Sequence, residues 1–235
     1  MESLEYAKQN WKDVLGALLE LYGTQPSENP AASFMAGAPG AGKTEYSTRL
    51  VSAFGQKPLI IDVDHIKTFL PAYTGSNTDE VKSGAMKIVE KILDYATHNK
   101  LPFLFDGTFS GPQSIANIKR ITRAKSNYSC QLYFVYQDPL RAWEFTKIRT
   151  IDEGRSIPKG YFIQAYLRSI ENIKLIESDP EVGYKVTTIL IIKDYLEKSK
   201  ENVVVDSVSN LDKYVKKIYT KDELKELLND QQSQN

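Results

Sequence analysis

Apolar residues along the chain fall into two patterns that take turns: stripes at helical spacing and short uninterrupted runs of strand length. Leu4, Trp11, Leu15, Leu18, Leu19 and Tyr22 form a stripe that predicts an amphipathic helix over residues 3–22. Its apolar side packs on the body of the protein or receives a partner. Gly23 to Pro30 is a punctuated connection. Ala31 to Ala36 is a short strand candidate, followed by a helix over Lys43–Phe54 with Tyr46, Leu50 and Phe54 four residues apart. Pro58–Val63 and Leu101–Phe105 are compact β-type runs. Between them, Val81, Ala85, Ile88, Ile92 and Tyr95 predict a long helix over Asp79–His98. A helix over Ser114–Ala124 then leads to a strand at Gln131–Tyr136.

The second half is less regular. Helices are expected at Leu140–Asp152 and Tyr161–Glu177, strands at Lys185–Lys193 and Glu201–Val208, and a short helix at Asp222–Leu228 before a frayed end at Asp230–Asn235. The last two strands are candidates for an antiparallel edge, although the stretch between them is longer than a tight hairpin turn. Strands separated by helix-length segments imply right-handed crossovers and a mostly parallel central sheet flanked by helices, an α/β fold. No repeat or interdomain linker stands out. The chain reads as an N-terminal helix and connection (1–30), a core (31–180) and a strand–helix extension of the same domain (181–235).

Composition narrows the setting. The 235 residues suffice for one large α/β domain with appended helices. The 30 basic and 30 acidic side chains balance, which removes charge as an argument for nucleic-acid binding without forbidding such a substrate. Cys130 is the single cysteine, so no intrachain disulfide is possible and a reducing cytoplasm is the simple expectation. Residues 1–20 lack the apolar centre of a signal peptide, and no run approaches the ~20 apolar residues of a membrane span.

The chemistry begins at Gly37-Ala38-Pro39-Gly40-Ala41-Gly42-Lys43-Thr44, a complete GxxxxGK[ST] pattern between a strand candidate and a helix candidate. Glycines let the main chain turn tightly and bring amide donors to phosphate oxygens. Lys43 places positive charge on the β- and γ-phosphates, and the Thr44 hydroxyl ligates Mg²⁺. The pattern specifies a P-loop nucleotide fold. ATP is the expected nucleotide, with GTP left open by the loop itself.

Further acids and arginines sit where a kinase needs them. Asp62-Val63-Asp64-His65 follows the second strand, at the carboxyl edge where ligands gather in an open α/β sheet. Asp64 is the candidate that orients or deprotonates an acceptor hydroxyl. Asp62 supports Mg²⁺ through water or caps the next helix. Asp106-Gly107-Thr108 closes the third strand, where Asp106 serves the Mg²⁺ solvent shell, the acceptor, or a structural turn. Arg149 and Arg155 flank Asp152-Glu153-Gly154, and on a segment able to close they would neutralise a phosphoryl group in transfer; surface ion pairing is the alternative.

These residues resemble the zeta-toxin family of P-loop kinases, whose characterised members phosphorylate UDP-N-acetylglucosamine on the sugar and interfere with cell-wall precursor synthesis. Gly37 to Thr44 matches the family's phosphate loop, and Ile60-Ile61-Asp62-Val63-Asp64 is similar to its strand ending in the catalytic aspartate, which assigns the base to Asp64. Glu90 and Asp106-Gly107-Thr108 keep the family spacing between a helix glutamate and an acid-Gly-Thr strand end. The resemblance thus implies Glu90, Asp106 and Thr108 as substrate ligands. Arg149 with Glu153-Gly154-Arg155 and Pro158-Lys159 resembles the paired-arginine region. The likeness spans residues 31 to about 165 and departs from the family in four places. Asp106 replaces a glutamate, Ser110 stands where an arginine often follows, the gap between the arginines is shorter, and Gly160-Tyr161 replaces a His-Asp pair.

The expected activity is transfer of the ATP γ-phosphoryl group, with Mg²⁺, to an alcohol on a small molecule or nucleotide sugar. An antitoxin protein is the partner the resemblance implies. The alternatives are a nucleotide or polynucleotide-end kinase, and a nucleotide-dependent interaction protein in which Asp64 and the arginines are structural.

Overall fold

A computed structural model describes residues 3–75, 77–123, 127–153, 156–193 and 201–230. The helix predicted from the first apolar stripe is α1, Ser3–Tyr22, and it packs along α4, Thr78–His98. Ala7, Val14, Leu15 and Leu18 are buried there, so the stripe faces the body of the protein. Complete burial of a side chain such as Leu18 stabilises by roughly 1.5–3 kcal/mol relative to exposure.

Six strands form one sheet in the order β2-β3-β1-β4-β5-β6. They are β1 (Ala31–Ala36), β2 (Leu59–Asp62), β3 (Phe103–Asp106), β4 (Ser129–Tyr136), β5 (Val186–Lys193) and β6 (Glu201–Val205). The first five run parallel, and β6 pairs antiparallel with β5 from Ile189↔Val205 to Lys193↔Glu201. The edge pairing is therefore real, though the strand stops at Val205 instead of Val208. Glu177 turns the chain there by accepting from Ser207 Oγ and the Val208 amide, and Val208 and Leu211 bury themselves in a 3₁₀ turn.

Strand β1 sits in the middle, with β3 on one side and β4 on the other, so the chain order reverses around it. Crevices for ligands open at such a point, beyond the carboxyl ends of the strands. One face of the sheet carries Met35, Leu104, Tyr133, Val135 and Ile191, packed under Tyr46, Leu50, Val51 and Phe54 of α2 (Lys43–Ala53) and its end. The other face carries Phe34, edge-on to Phe103 and stacked with Phe105. It is covered by α1, α4, α5 (Pro112–Arg123) and α7 (Lys159–Glu177). The remaining helices are α3 (Val63–Lys67), α6 (Pro139–Glu153) and α8 (Lys221–Asp230). Short α3 takes Val63 out of the predicted strand and carries Asp64 in its first turn. Among the described residues, no helix is long and apolar enough to cross a membrane.

Candidate active site

The glycine-rich turn leaves β1 at the sheet centre, and close neighbours explain its glycines. Gly37 has φ 128°, and a Cβ there would lie 2.2 Å from the Val135 carbonyl oxygen of β4. Its amide donates to the Thr108 carbonyl at 3.1 Å, fastening the loop to the end of β3. Gly42 has φ 87° and caps α2, and no side chain caps that helix. The first-turn amides and the positive end of the helix dipole are thus left for an anion. Gly40 is not required by the motif. It has φ 75°, and a Cβ would meet the Ala142 carbonyl oxygen at 2.2 Å and Thr146 Cγ2 at 3.0 Å, both on α6. The bare backbone of Gly40 is where the helix carrying Arg149 rests on the phosphate loop.

Lys43 folds back over the loop, donating to the carbonyls of Gly37 (3.1 Å) and Ala38 (2.8 Å). Burial brings its ammonium down from 10.5 to about 8, the Asp106 charge opposes that fall, and the Arg149 charge adds to it. A cation and an anion from distant parts of the chain therefore act on one nitrogen. Arg149 belongs to α6 rather than to a loop, so its position depends on how that helix is seated. Arg155 lies outside the described residues.

Asp62 and Asp106 are register partners at the ends of β2 and β3. The Asp62 side chain accepts from the Asp64 amide at 2.8 Å, so it is the N-cap of α3; burial raises its carboxyl, and that bond opposes the rise. Asp106 is held at 3.5 Å by Ser47 Oγ of α2. Burial raises its carboxyl, Lys43 counteracts, and Asp62 and Asp64 push it further up. Asp64, in the first turn of α3, has its Oδ1 bonded at 2.8 Å by Lys67 Nζ. Lys43, Asp62, Asp64, Asp106 and Arg149 thus form one electrostatic neighbourhood built from five elements.

Other expected residues stand differently. Thr108 joins the loop through its carbonyl, and its hydroxyl shares a 2.7 Å bond with Ser110. Ser110 opens a groove of about 460 Å³ between α5 and α7 that Lys119, Arg168, Glu171 and Asn172 also line. Glu90 lies on the exposed side of α4, 2.8 Å from Lys87. The Lys87 bond leads the lowering of its carboxyl, with Lys91 and Arg120 as further cations, so the structure does not bring it to Lys43. Cys130 is buried, and burial pushes its thiol up to about 12.

Sequence reasoning missed Lys67, Ser47 and a network across the loop in which Glu201 takes Arg49 Nη2 at 2.9 Å and Lys193 Nζ at 2.7 Å. The Lys193 side chain also lies 3.2 Å from where a Cβ on Gly42 would stand. Only Lys67 left a signal, the i,i+3 spacing from Asp64 on a helix.

The donors here suit a hard cation. The Thr44 hydroxyl bonds none of the described residues, and Asp106 is held against α2. No group of three or more His, Cys, Asp or Glu among the described residues is arranged to cage a metal. Hydroxyl and carboxylate oxygens beside a phosphate loop suit an ion that arrives with phosphate and keeps water ligands.

A parallel sheet reversing at β1, a phosphate loop at that point and carboxylates on the neighbouring strand ends define a P-loop kinase-like nucleotide-binding protein. Within that class, the family model for zeta toxin matches residues 17–210, and the chain belongs to the zeta-toxin family. It is similar to a structure from the PezAT chromosomal toxin–antitoxin system of the human pathogen Streptococcus pneumoniae. The identity is 21%, 97% of this chain and 96% of that chain are covered, and the TM-score is 0.68. It is also similar to the native AvrRxo1-ORF1:-ORF2 complex (14% identity, 89% of this chain and 71% of that chain, TM-score 0.58). The same complex with ATP gives 15% identity, 90% and 70% coverage and a TM-score of 0.55. At these identities the likeness speaks for the fold alone. No curated protein matches the chain.

Proposed function

We propose that the protein is an ATP-dependent kinase that phosphorylates a hydroxyl group of a small acceptor, with UDP-N-acetylglucosamine as the acceptor favoured by family membership. The observation that carries this reading is the placement of Asp62 and Asp106 as register partners at the strand ends beside the phosphate loop, with Asp64 in the next turn and Lys43 folded over the loop. A nucleotide switch needs the loop and a metal site. A carboxylate placed to serve an acceptor hydroxyl is what transfer to a second substrate adds.

In this reading the amides of the loop and Lys43 hold the β- and γ-phosphates. Thr44, and Asp106 or Asp62 through water, hold Mg²⁺, which supplies charge neutralisation at the phosphates. Asp64 orients the acceptor hydroxyl and takes its proton, while Arg149, joined by Arg155, stabilises charge on the group in transfer. Thr108 and the groove beginning at Ser110 border the acceptor; Arg168 and Glu171 line that groove with one charge of each sign, and Lys119 is paired there with Asp179. Glu90 serves the acceptor in this reading only if α4 brings it inward when ligands bind. An antitoxin is the proposed partner, supported by the toxin–antitoxin system of the similar PezAT structure. Ile148 and Ile151, exposed on the same helix as Arg149, would lie under its footprint.

The test is transfer of label from γ-labelled ATP to UDP-N-acetylglucosamine, nucleosides and oligonucleotides, with mass analysis of the product. Asp64→Asn keeps the side-chain size and removes the proton acceptor. It is expected to lower single-turnover transfer by about 10²–10⁴-fold while ATP binding survives. Labelled oligonucleotide with unlabelled sugar nucleotide would move the acceptor class, and near-wild-type transfer by D64N would remove Asp64 as the base.

A further inference from the structure

Lys67 lies one helical turn after Asp64 on α3, and the two form an uneven pair. The lysine side chain is 7% exposed and the aspartate 51% exposed, with Nζ 2.8 Å from Oδ1. Among the described residues, that carboxylate is the only hydrogen-bond partner of the Lys67 ammonium. Taking an ammonium out of water is unfavourable, and a partner still open to solvent returns little of that loss. A methionine of similar length would fill the same space without the penalty, so stability does not account for a charge at this position.

Orientation does account for it. Helix α3 has five residues and starts directly from the end of β2. Asp62 holds the Asp64 backbone through its amide, Ile66 anchors the helix in the core, and Lys67 holds the Asp64 side chain. A fixed bond to one carboxylate oxygen narrows the rotamers open to an exposed aspartate, and each rotamer that faces away from the acceptor wastes catalytic time.

We propose that Lys67 is a positioning residue for Asp64, fixing one carboxylate oxygen so that the group meets the acceptor hydroxyl in a single orientation. This rests on the kinase reading, in which Asp64 is the base. Lys67 itself touches neither nucleotide nor acceptor in this role.

The experiment follows single-turnover loss of the γ-phosphate from labelled ATP. UDP-N-acetylglucosamine is the acceptor probe, and water is the acceptor when the sugar is not used. Lys67→Met is expected to slow this step by about 10- to 100-fold while the ATP dissociation constant changes by less than about twofold. Its thermal midpoint should not fall, whereas a merely structural ion pair would lose stability and keep its rate per folded molecule. Lys67→Arg should recover most of the rate, and Lys67→Gln replaces K67M if that variant does not fold. In a D64N background K67M should add no further loss, because the two substitutions remove one function. A wild-type rate in K67M overturns the proposal, and so does a K67M defect that persists undiminished beside D64N. An inactive D64N with a fully active K67M rejects Lys67 alone, while a fully active D64N rejects the base assignment beneath it.

Discussion

Gly40→Ala isolates the seating of α6 on the phosphate loop. The motif permits any residue at this position, so a sequence-level argument expects a mild effect. The structure expects a large one. The new Cβ would stand 2.2 Å from the Ala142 carbonyl oxygen, and ordinary contact needs 3.4 Å or more, so loop and helix must part by about 1 Å. The obstacle is backbone, so no rotamer relieves it; Thr146→Ser would remove only the second contact, at 3.0 Å. The positive φ adds about 1–2 kcal/mol of strain for a residue with a Cβ. Arg149 lies three residues beyond Thr146 on the same helix, so a retreat of α6 carries its guanidinium away from the phosphates. A displacement near 1 Å costs about 10²-fold in rate, or about 2.7 kcal/mol of transition-state stabilisation. Steady-state kinetics with γ-labelled ATP should show that loss mainly in kcat, with a lower thermal midpoint. Gly55→Ala, where nothing lies within 4 Å of the added methyl, is the control. A G40A enzyme with wild-type kcat would refute the argument that α6 is positioned through this notch.

Two further outcomes follow from the same neighbourhood. Free Lys43, with its ammonium brought down to about 8, is about half neutral at pH 8, and a bound triphosphate needs it charged. ATP binding at pH 8 should therefore take up protons, measurable by calorimetry in buffers of different ionisation heat. The uptake should fade towards pH 6.5 and disappear in K43A, and zero uptake at pH 8 would contradict the assignment. The sign for stability is consistent: the unfolded chain holds this proton more tightly, so the Lys43 contribution to stability rises with pH between about 8 and 10.5. Arg149→Ala should lower kcat by about 10²-fold or more with ATP affinity nearly kept. It should also shrink the proton uptake at pH 8, since the arginine charge helps to lower Lys43; an unchanged kcat would return Arg149 to the surface.

Much of this protein was legible because the relevant physics is local. A stripe at helical spacing predicted α1 at the bounds the structure shows, and strand-length runs predicted a parallel sheet, since period and length depend only on neighbours in the chain. The phosphate loop was legible for the same reason: eight consecutive residues carry the turn, the lysine and the hydroxyl. Edges were less legible. Val63 moved from strand to helix because the cap at Asp62, one of the roles its sequence allowed, ends β2 there, and β6 ended early because Glu177, far away in the chain, turns it. Which residues share the site was decided by tertiary structure alone. Arg149 comes to the side of the phosphate loop because β4 lies beside β1 and sends α6 over the loop at Gly40, while Glu90 stays outside because α4 turns that position to solvent. Lys67 gained its meaning only from burial. Spacing along the chain can place two charges on one face of a helix, but it takes the packed protein to decide which of them water can reach.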